Sequence, residues 1–351
     1  MLWRLPASLT HPAVRGYSTR AGPLKILFCG ADHFSIASLR ALTKAHHEVP
    51  GLIDSIDVVH RPAKPTGRGL KTLKEVPIRH AASELGLTTH VIDTFTGWTP
   101  PTRPDLIVAV SFGLFVPPRL LGLAKYGGIN VHPSLLPDLR GPAPIEHAIL
   151  NRRSCTGVSV QTLHPKTFDQ GTILAQTPAP GIAVAPDTTA HVLAERLAEV
   201  GAQMLVDVIK DNGFVPPHKD VGWYASSSGP VDHAPKITKQ DHFVDFSEKT
   251  MDAILAMQSA LGELWCILPN GDRLIIHKVA DSLKSDALNH GPGIWVEHGL
   301  KDPLFRAACG RVGIILSSTY AGSKAGHGNA KLLRMLPTQE VSMEETSRGE
   351  R

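Results

Sequence analysis

The sequence predicts a two-part α/β protein: a parallel-sheet domain over residues 24–211 and a small β-rich, barrel-like domain over 240–337. Three observations lead there. Short apolar runs alternate with amphipathic stretches through the first part, the pattern of parallel strands joined by crossover helices. A segment rich in Pro, Gly, Ser and His at 212–239 then breaks that rhythm and reads as a linker. Beyond it, β-like runs separated by turns such as Pro269-Asn270-Gly271-Asp272 follow one another. A length of 351 residues suits two domains, and 42% hydrophobic against 19% charged residues provides for folded cores.

The elements follow in order. Residues 1–23 hold Arg4, Arg15 and Arg20, several hydroxyl residues and no acid, the composition of a mitochondrial targeting segment. The apolar run 24–30 ends at Gly30 and leads into helical spacing over 34–44, a strand–loop–helix opening. Strands are expected at 56–60, 105–110 and 128–132, and helices at 76–86 and 117–124. Residues 157–163 alternate as a boundary strand, and 187–211 form a helix capped by Asp187 or Thr188. After the linker come a helix at 248–261 and strands at 264–268, 273–279, 293–297 and 311–318, with a frayed polar tail over 338–351.

Composition excludes several classes. No apolar run reaches the roughly 18–20 residues of a membrane-spanning helix. Cys29, Cys155, Cys266 and Cys309 form no Cys-x-x-Cys pair, so neither a zinc ribbon nor a redox dithiol is expected, and no metal is. Formal charge is +4, and without the three arginines of the leading segment the chain is nearly neutral. Positive charge is concentrated instead at 60–80, where Arg61, Lys64, Arg68, Lys71, Lys74 and Arg79 face one acid, Glu75. Pro62, Pro65, Gly67 and Gly69 predict an exposed, mobile loop there, able to track phosphates. Gly30 stands without the Gly-x-Gly-x-x-Gly pattern of a dinucleotide site.

The chemistry centres on 128–147. Asn130 and His132 are two apart in a strand, so they share a face, and the strand ends at Pro133, placing them at the carboxyl edge where open α/β sheets bind ligands. An amide beside an imidazole suits acyl transfer, the amide donating to a developing oxyanion and the imidazole handling a proton. Taken alone, an Asn-x-His pair serves as well in ordinary structural hydrogen bonding, and Asp169 in Asp-Gln-Gly as a turn residue.

The surrounding residues sharpen this. Asn130-x-His132 followed by Ser134-Leu135-Leu136-Pro137 and Arg140-Gly141 resembles the signature of the folate-dependent formyltransferases. The resemblance extends to the 25–30 opening with Phe34, Pro65-x-Gly67-Arg68-Gly69, Ser111-Phe112-Gly113-Leu114, Phe168-Asp169-Gln170-Gly171 and Ala234-Pro235-Lys236-Ile237. It implies a Rossmann-like catalytic domain followed by an OB-like barrel, with Asn130, His132 and Asp169 catalytic and 10-formyltetrahydrofolate as co-substrate. Phe112, Leu114, Ser134, Leu135, Leu136 and Pro137 are then expected against the folate, and Asp169 against the charged form of His132. The basic loop, linker and β-rich tail are similar to the branch acting on methionyl-tRNA. That implies initiator methionyl-tRNA as partner, contacts from Arg68 and Lys71, a monomer, and the mitochondrial matrix as location. Asp138 departs from the family pattern at an often basic position, where it would weaken a phosphate contact; Thr172 and Pro142 also depart from it. The catalytic residues alone leave open a small-amine formyltransferase, a formyl-folate hydrolase, or an idle RNA- or folate-binding protein.

Overall fold

The computed structural model describes residues 22–66, 69, 71–285, 291–336 and 338–339. Nearly all of the expected targeting segment, the expected tRNA contact Arg68 and most of the expected tail lie outside them. β1 (Leu24–Gly30) buries every residue but Lys25. At Gly30 a Cβ would lie 2.6 Å from Ile78 Cδ1 and 2.9 Å from Ser35 Cβ, so a larger residue there would force these neighbours to shift. α1 (His33–Glu48) begins where Asp32 accepts a hydrogen bond from Ser35 N–H at 3.0 Å. The chain continues through β2 (Ile53–His60), β3 (Lys64–Thr66), β4 (Thr72–Lys74), α2 (Pro77–Glu84), β5 (Thr88–Val91), β6 (Leu106–Val110), α3 (Pro118–Leu123) and β7 (Gly128–His132). Then come α4 (Pro144–Leu150), β8 (Cys155–Thr156), β9 (Ser159–Thr162), β10 (Ile173–Gln176), β11 (Ile182–Ala183) and α5 (Ala190–Lys210). Thr189, rather than Asp187 or Thr188, caps α5.

Seven strands form one sheet in the order β10-β9-β7-β6-β1-β2-β5. β5, β2, β1, β6 and β7 are parallel, as expected, but β9 runs antiparallel to β7 and β10 antiparallel to β9. The connection through α4 stays at the carboxyl end of β7, so the chain re-enters the sheet without a crossover and reverses direction. Apolar side chains of α1, α2 and α5 cover one face, where Ile129 and Val131 of β7 point. The other face carries Ala109, Phe112 and Leu120, and β-strand alternation turns Asn130 and His132 to that side.

Two expected loops have structure. β3 and β4 pair as an antiparallel hairpin inside the basic segment, with Lys64 opposite Lys74. The 212–239 stretch is a packed strap rather than a free linker: Phe214 and Ala234 are fully buried, Trp223 Nε1–H donates to Thr177 O at 2.7 Å, and Ala234 N–H donates to Arg140 O at 2.7 Å. Its polar composition concealed these few apolar anchors.

The C-terminal unit comprises α6 (Met251–Leu261), β12 (Leu264–Ile267), β13 (Arg273–Ser285), β14 (Gly293–Glu297), β15 (Leu304–Arg306), β16 (Arg311–Tyr320), α7 (Gly328–Met335) and β17 (Thr338–Gln339). Its largely antiparallel sheet has the order β12-β13-β16-β15-β14-β17, leaving β12 and β17 as edges among the described residues. Register shifts along β13 coil the long β13–β16 pair. β17 pairs with β14, so the start of the expected frayed tail is part of the sheet. The two units share a boundary: Leu150 packs on both cores, and Asp252 pairs with Arg152 at 3.7 Å and with Arg311 at 2.5 Å.

Candidate active site

Asn130 lies in mid-strand on β7, opposite Gln161 of β9. Its Nδ2 donates to Ala109 O at 2.9 Å, and its Oδ1 accepts from Gln161 Nε2 at 3.2 Å. An amide nitrogen carries two protons, so one Asn130 N–H is left for a ligand. His132 follows on the same face and is buried. Its Nε2 lies 3.0 Å from Leu139 O, an acceptor only, so that nitrogen carries the proton. Its Nδ1 lies 3.5 Å from Asp169 Oδ1. When both ring nitrogens are protonated, each therefore has an acceptor to face.

Asp169 comes from the β9–β10 connection, which folds back over the sheet. Gly141 N–H donates to its Oδ2 at 3.0 Å, Gln161 Nε2 to its Oδ1 at 3.2 Å, and Arg140 Nε to its carbonyl at 2.9 Å. Asp169 and Leu139 both have left-handed backbones, at φ 54° and 55°. That conformation is uncommon for a branched apolar residue such as Leu, and here it aims the Leu139 carbonyl at His132. Asp169, 37 residues beyond His132 in the chain, is thus brought to the neighbouring pair Asn130 and His132.

Sequence reasoning missed Gln161. It is 2% exposed and accepts from Gly171 N–H at 3.0 Å while donating to both Asn130 and Asp169. The only available signal was an amide inside the apolar alternation of 157–163.

The expected folate residues divide. Ser134, Leu135 and Leu136 are buried and face inward. Ser134 Oγ donates to Asp138 O at 2.6 Å, Leu136 N–H donates to Ser159 Oγ at 3.1 Å, and Leu136 O accepts from Gln176 Nε2 at 2.9 Å. These bonds brace the 134–138 segment beside His132. Phe112 is also buried, against Phe95 at 5.6 Å between ring centroids. Leu114 and Pro137 are half-buried, and Ser111 and Gly113 are exposed. Phe115 of that turn meets the 60% exposed Phe168 edge-on at 5.2 Å, next to Asp169.

The expectation for Asp138 is corrected. It is 5% exposed, receives Arg153 Nε and Nη2 at 3.1 Å each and accepts from Asp232 N–H at 2.8 Å. Its carboxylate ties the strap to the catalytic unit and is not available to repel a phosphate. Lys71 is exposed on the hairpin, well separated in sequence from the catalytic cluster.

A family model described as formyl transferase matches residues 24–209. The chain belongs to the formyl transferase family. As a formyl transferase it is 34% identical over 262 residues to the mitochondrial methionyl-tRNA formyltransferase of Mus musculus, covering 74% of this chain and 63% of that protein. With the mitochondrial methionyl-tRNA formyltransferase of Homo sapiens it shares 34% over 265 residues, covering 75% and 63%. With that of Saccharomyces cerevisiae it shares 32% over 279 residues, covering 69% of each. The match thus spans about 63% of the length of the mouse and human relatives. An N-formyltransferase from Helicobacter canadensis, solved with folinic acid and dTDP-3-aminofucose, superposes with a TM-score of 0.55 at 16% identity, over 83% of this formyl transferase and 98% of that chain. HypX from Aquifex aeolicus superposes with a TM-score of 0.55 at 16% identity, over 93% and 52%. These two likenesses establish the fold.

Proposed function

We propose that this formyl transferase moves the formyl group of 10-formyltetrahydrofolate to the α-amino group of initiator methionyl-tRNA in the mitochondrial matrix. The observation that carries the reading is the convergence of Asn130, His132 and Asp169, with one Asn130 N–H unengaged, in a chain of this family. The names of the mouse, human and yeast relatives support the acceptor and the compartment. So does the hairpin. Lys64 and Lys74 sit directly opposite one another, and like charges so placed repel. Lys64, Lys71 and Lys74 are exposed without an acidic partner among the described residues, and a phosphate backbone would relieve that repulsion. We assign tRNA contacts to Lys71 and to Arg68.

An α-amino group titrates near ~7.7–8.0, and esterification of the neighbouring carboxyl lowers this, so a neutral amine attacks without a strong base. The burden falls on the oxygen of the carbon under attack. The free Asn130 N–H is the donor for it. His132, held between Leu139 O and Asp169, fixes that carboxylate beside the reacting atoms; as the bond from the formyl carbon to the folate nitrogen breaks, the proton given up by the attacking amine ends on that departing nitrogen. The folate lies along the 111–116 turn, where Leu114 and Phe115 offer apolar surface, and against Pro137. Residues 1–23 direct import and are removed. The C-terminal sheet, as an OB-like barrel, adds contacts to the tRNA backbone. The catalytic trio lies within one copy, and we assign the protein as a monomer.

Residues 24–351 mixed with 10-formyltetrahydrofolate and methionyl-tRNA are expected to yield formyl-methionyl-tRNA. Lys71→Glu is expected to raise KM for the tRNA with a shallower dependence on salt. Formate as the only product, or transfer to small amines alone, overturns the tRNA reading.

A further inference from the structure

We infer that Gln161 is a positioning residue that sets which way the Asn130 amide faces, and so whether a donor is presented to the reacting oxygen. The inference rests on the proposed formyl transfer.

An amide side chain can turn end for end, exchanging donor and acceptor. At Asn130 such a flip would turn a carbonyl oxygen toward a developing oxyanion. The hydrogen-bond chain through Gln161 forbids it, because both of its ends are backbone groups that cannot reverse. At one end Gly171 N–H, a donor only, requires Gln161 to answer with Oε1 at 3.0 Å. That fixes Gln161 Nε2 toward β7, and its two protons meet Asn130 Oδ1 and Asp169 Oδ1, each at 3.2 Å. With Oδ1 so held, Asn130 Nδ2 must face Ala109 O, an acceptor only, at 2.9 Å. The second Nδ2 proton then points away from both. Through its two protons the Gln161 amide nitrogen also ties Asp169 to Asn130, fixing the carboxylate relative to His132. The titratable groups facing Gln161 are Asp169 and, across it, His132; Arg140 holds the Asp169 carbonyl from the 139–141 segment.

Two substitutions of similar length separate this from simple packing. Gln161→Met fills the space without donor or acceptor. Gln161→Glu keeps an acceptor and supplies a donor only when protonated. In the full chain with 10-formyltetrahydrofolate and methionyl-tRNA, both are expected to lower kcat about 10²-fold, the effect of losing one aimed oxyanion donor, with KM for either substrate within about threefold. The ratio of Gln161→Glu to wild-type kcat should rise several-fold from pH 8 to pH 6, while the Gln161→Met ratio stays flat. Variants within threefold of wild type, or flat ratios for both, overturn the inference. A readout independent of turnover is the side-chain amide signal of Asn130 by NMR. In the wild type one of its two protons exchanges slowly with solvent, and in Gln161→Met both exchange fast; equal exchange in the two proteins overturns the inference. A wild type that formylates nothing refutes the proposed function, and the NMR comparison still judges Gln161.

Discussion

Asp138 offers the sharpest test of how the strap is held. Replacing it by alanine removes the acceptor of two charge-assisted bonds from Arg153 at 3.1 Å and of the Asp232 N–H at 2.8 Å. The Arg153 side chain is only 13% exposed, so its charge is left largely buried. Breaking a buried pair from one side costs about 3–5 kcal/mol. Asp232 stays on Arg153 at 2.5 Å, but is half exposed, which puts the expected loss at the lower end, about 3 kcal/mol. At roughly 2–3 °C per kcal/mol for a chain of this size, the midpoint falls by about 6–9 °C. Calorimetry on wild type, Asp138→Ala and Asp138→Asn measures it, the amide falling between the other two. Limited trypsin digestion should in parallel cut faster after Lys236, an exposed residue at the end of the strap. An unchanged midpoint accompanied by tighter tRNA binding would refute the brace and restore Asp138 to the phosphate surface.

Two further perturbations follow from particular contacts. Gly171→Ala would place a Cβ 1.7 Å from the Thr162 carbonyl oxygen, so the loop must move and Gly171 N–H must leave Gln161. A stability loss of about 3 kcal/mol by urea unfolding and a fall in kcat are expected. At Asp281, burial raises the carboxyl pKa, but hydrogen bonds from Arg311 and Leu283 N–H outweigh it and hold the group below the ordinary value. A lowered folded pKa adds stability that is fully present above the unfolded value, near ~3.9, and disappears as pH falls through the folded one. The difference in urea midpoint between wild type and Asp281→Asn should therefore be full at pH 6 and shrink as pH falls below the unfolded value near ~3.9.

Much of the site was legible because strand alternation is a short-range rule. Asn130 and His132, two apart in GINVH, had to share a face, and Pro133 had to end the strand. The reversal of β9 was not legible, since it depends on the α4 connection staying at one end of the sheet, which no local pattern records. Gln161 was hidden for a related reason: its partners Asn130, Asp169 and Gly171 are set by pairing across strands. The strap over 212–239 looked like a linker because its anchors are single residues, such as Phe214, Trp223 and Ala234, among Pro, Gly and Ser. Ser134, Leu135 and Leu136 carried a family signature, but their burial and the bonds bracing them to Asp138, Ser159 and Gln176 depend on distant segments that no local pattern records. Asp138 misled in the same way, because a charge that departs from pattern was met by a buried arginine fifteen residues later.

The most direct measurement is the single-turnover rate of formyl transfer to methionyl-tRNA by wild type, Asn130→Ala and His132→Ala, with tRNA affinity measured alongside. The account predicts formyl-methionyl-tRNA from the wild type, and a rate about 10²-fold or more slower in each variant at unchanged tRNA affinity. Transfer rates within threefold of wild type in both variants would contradict it.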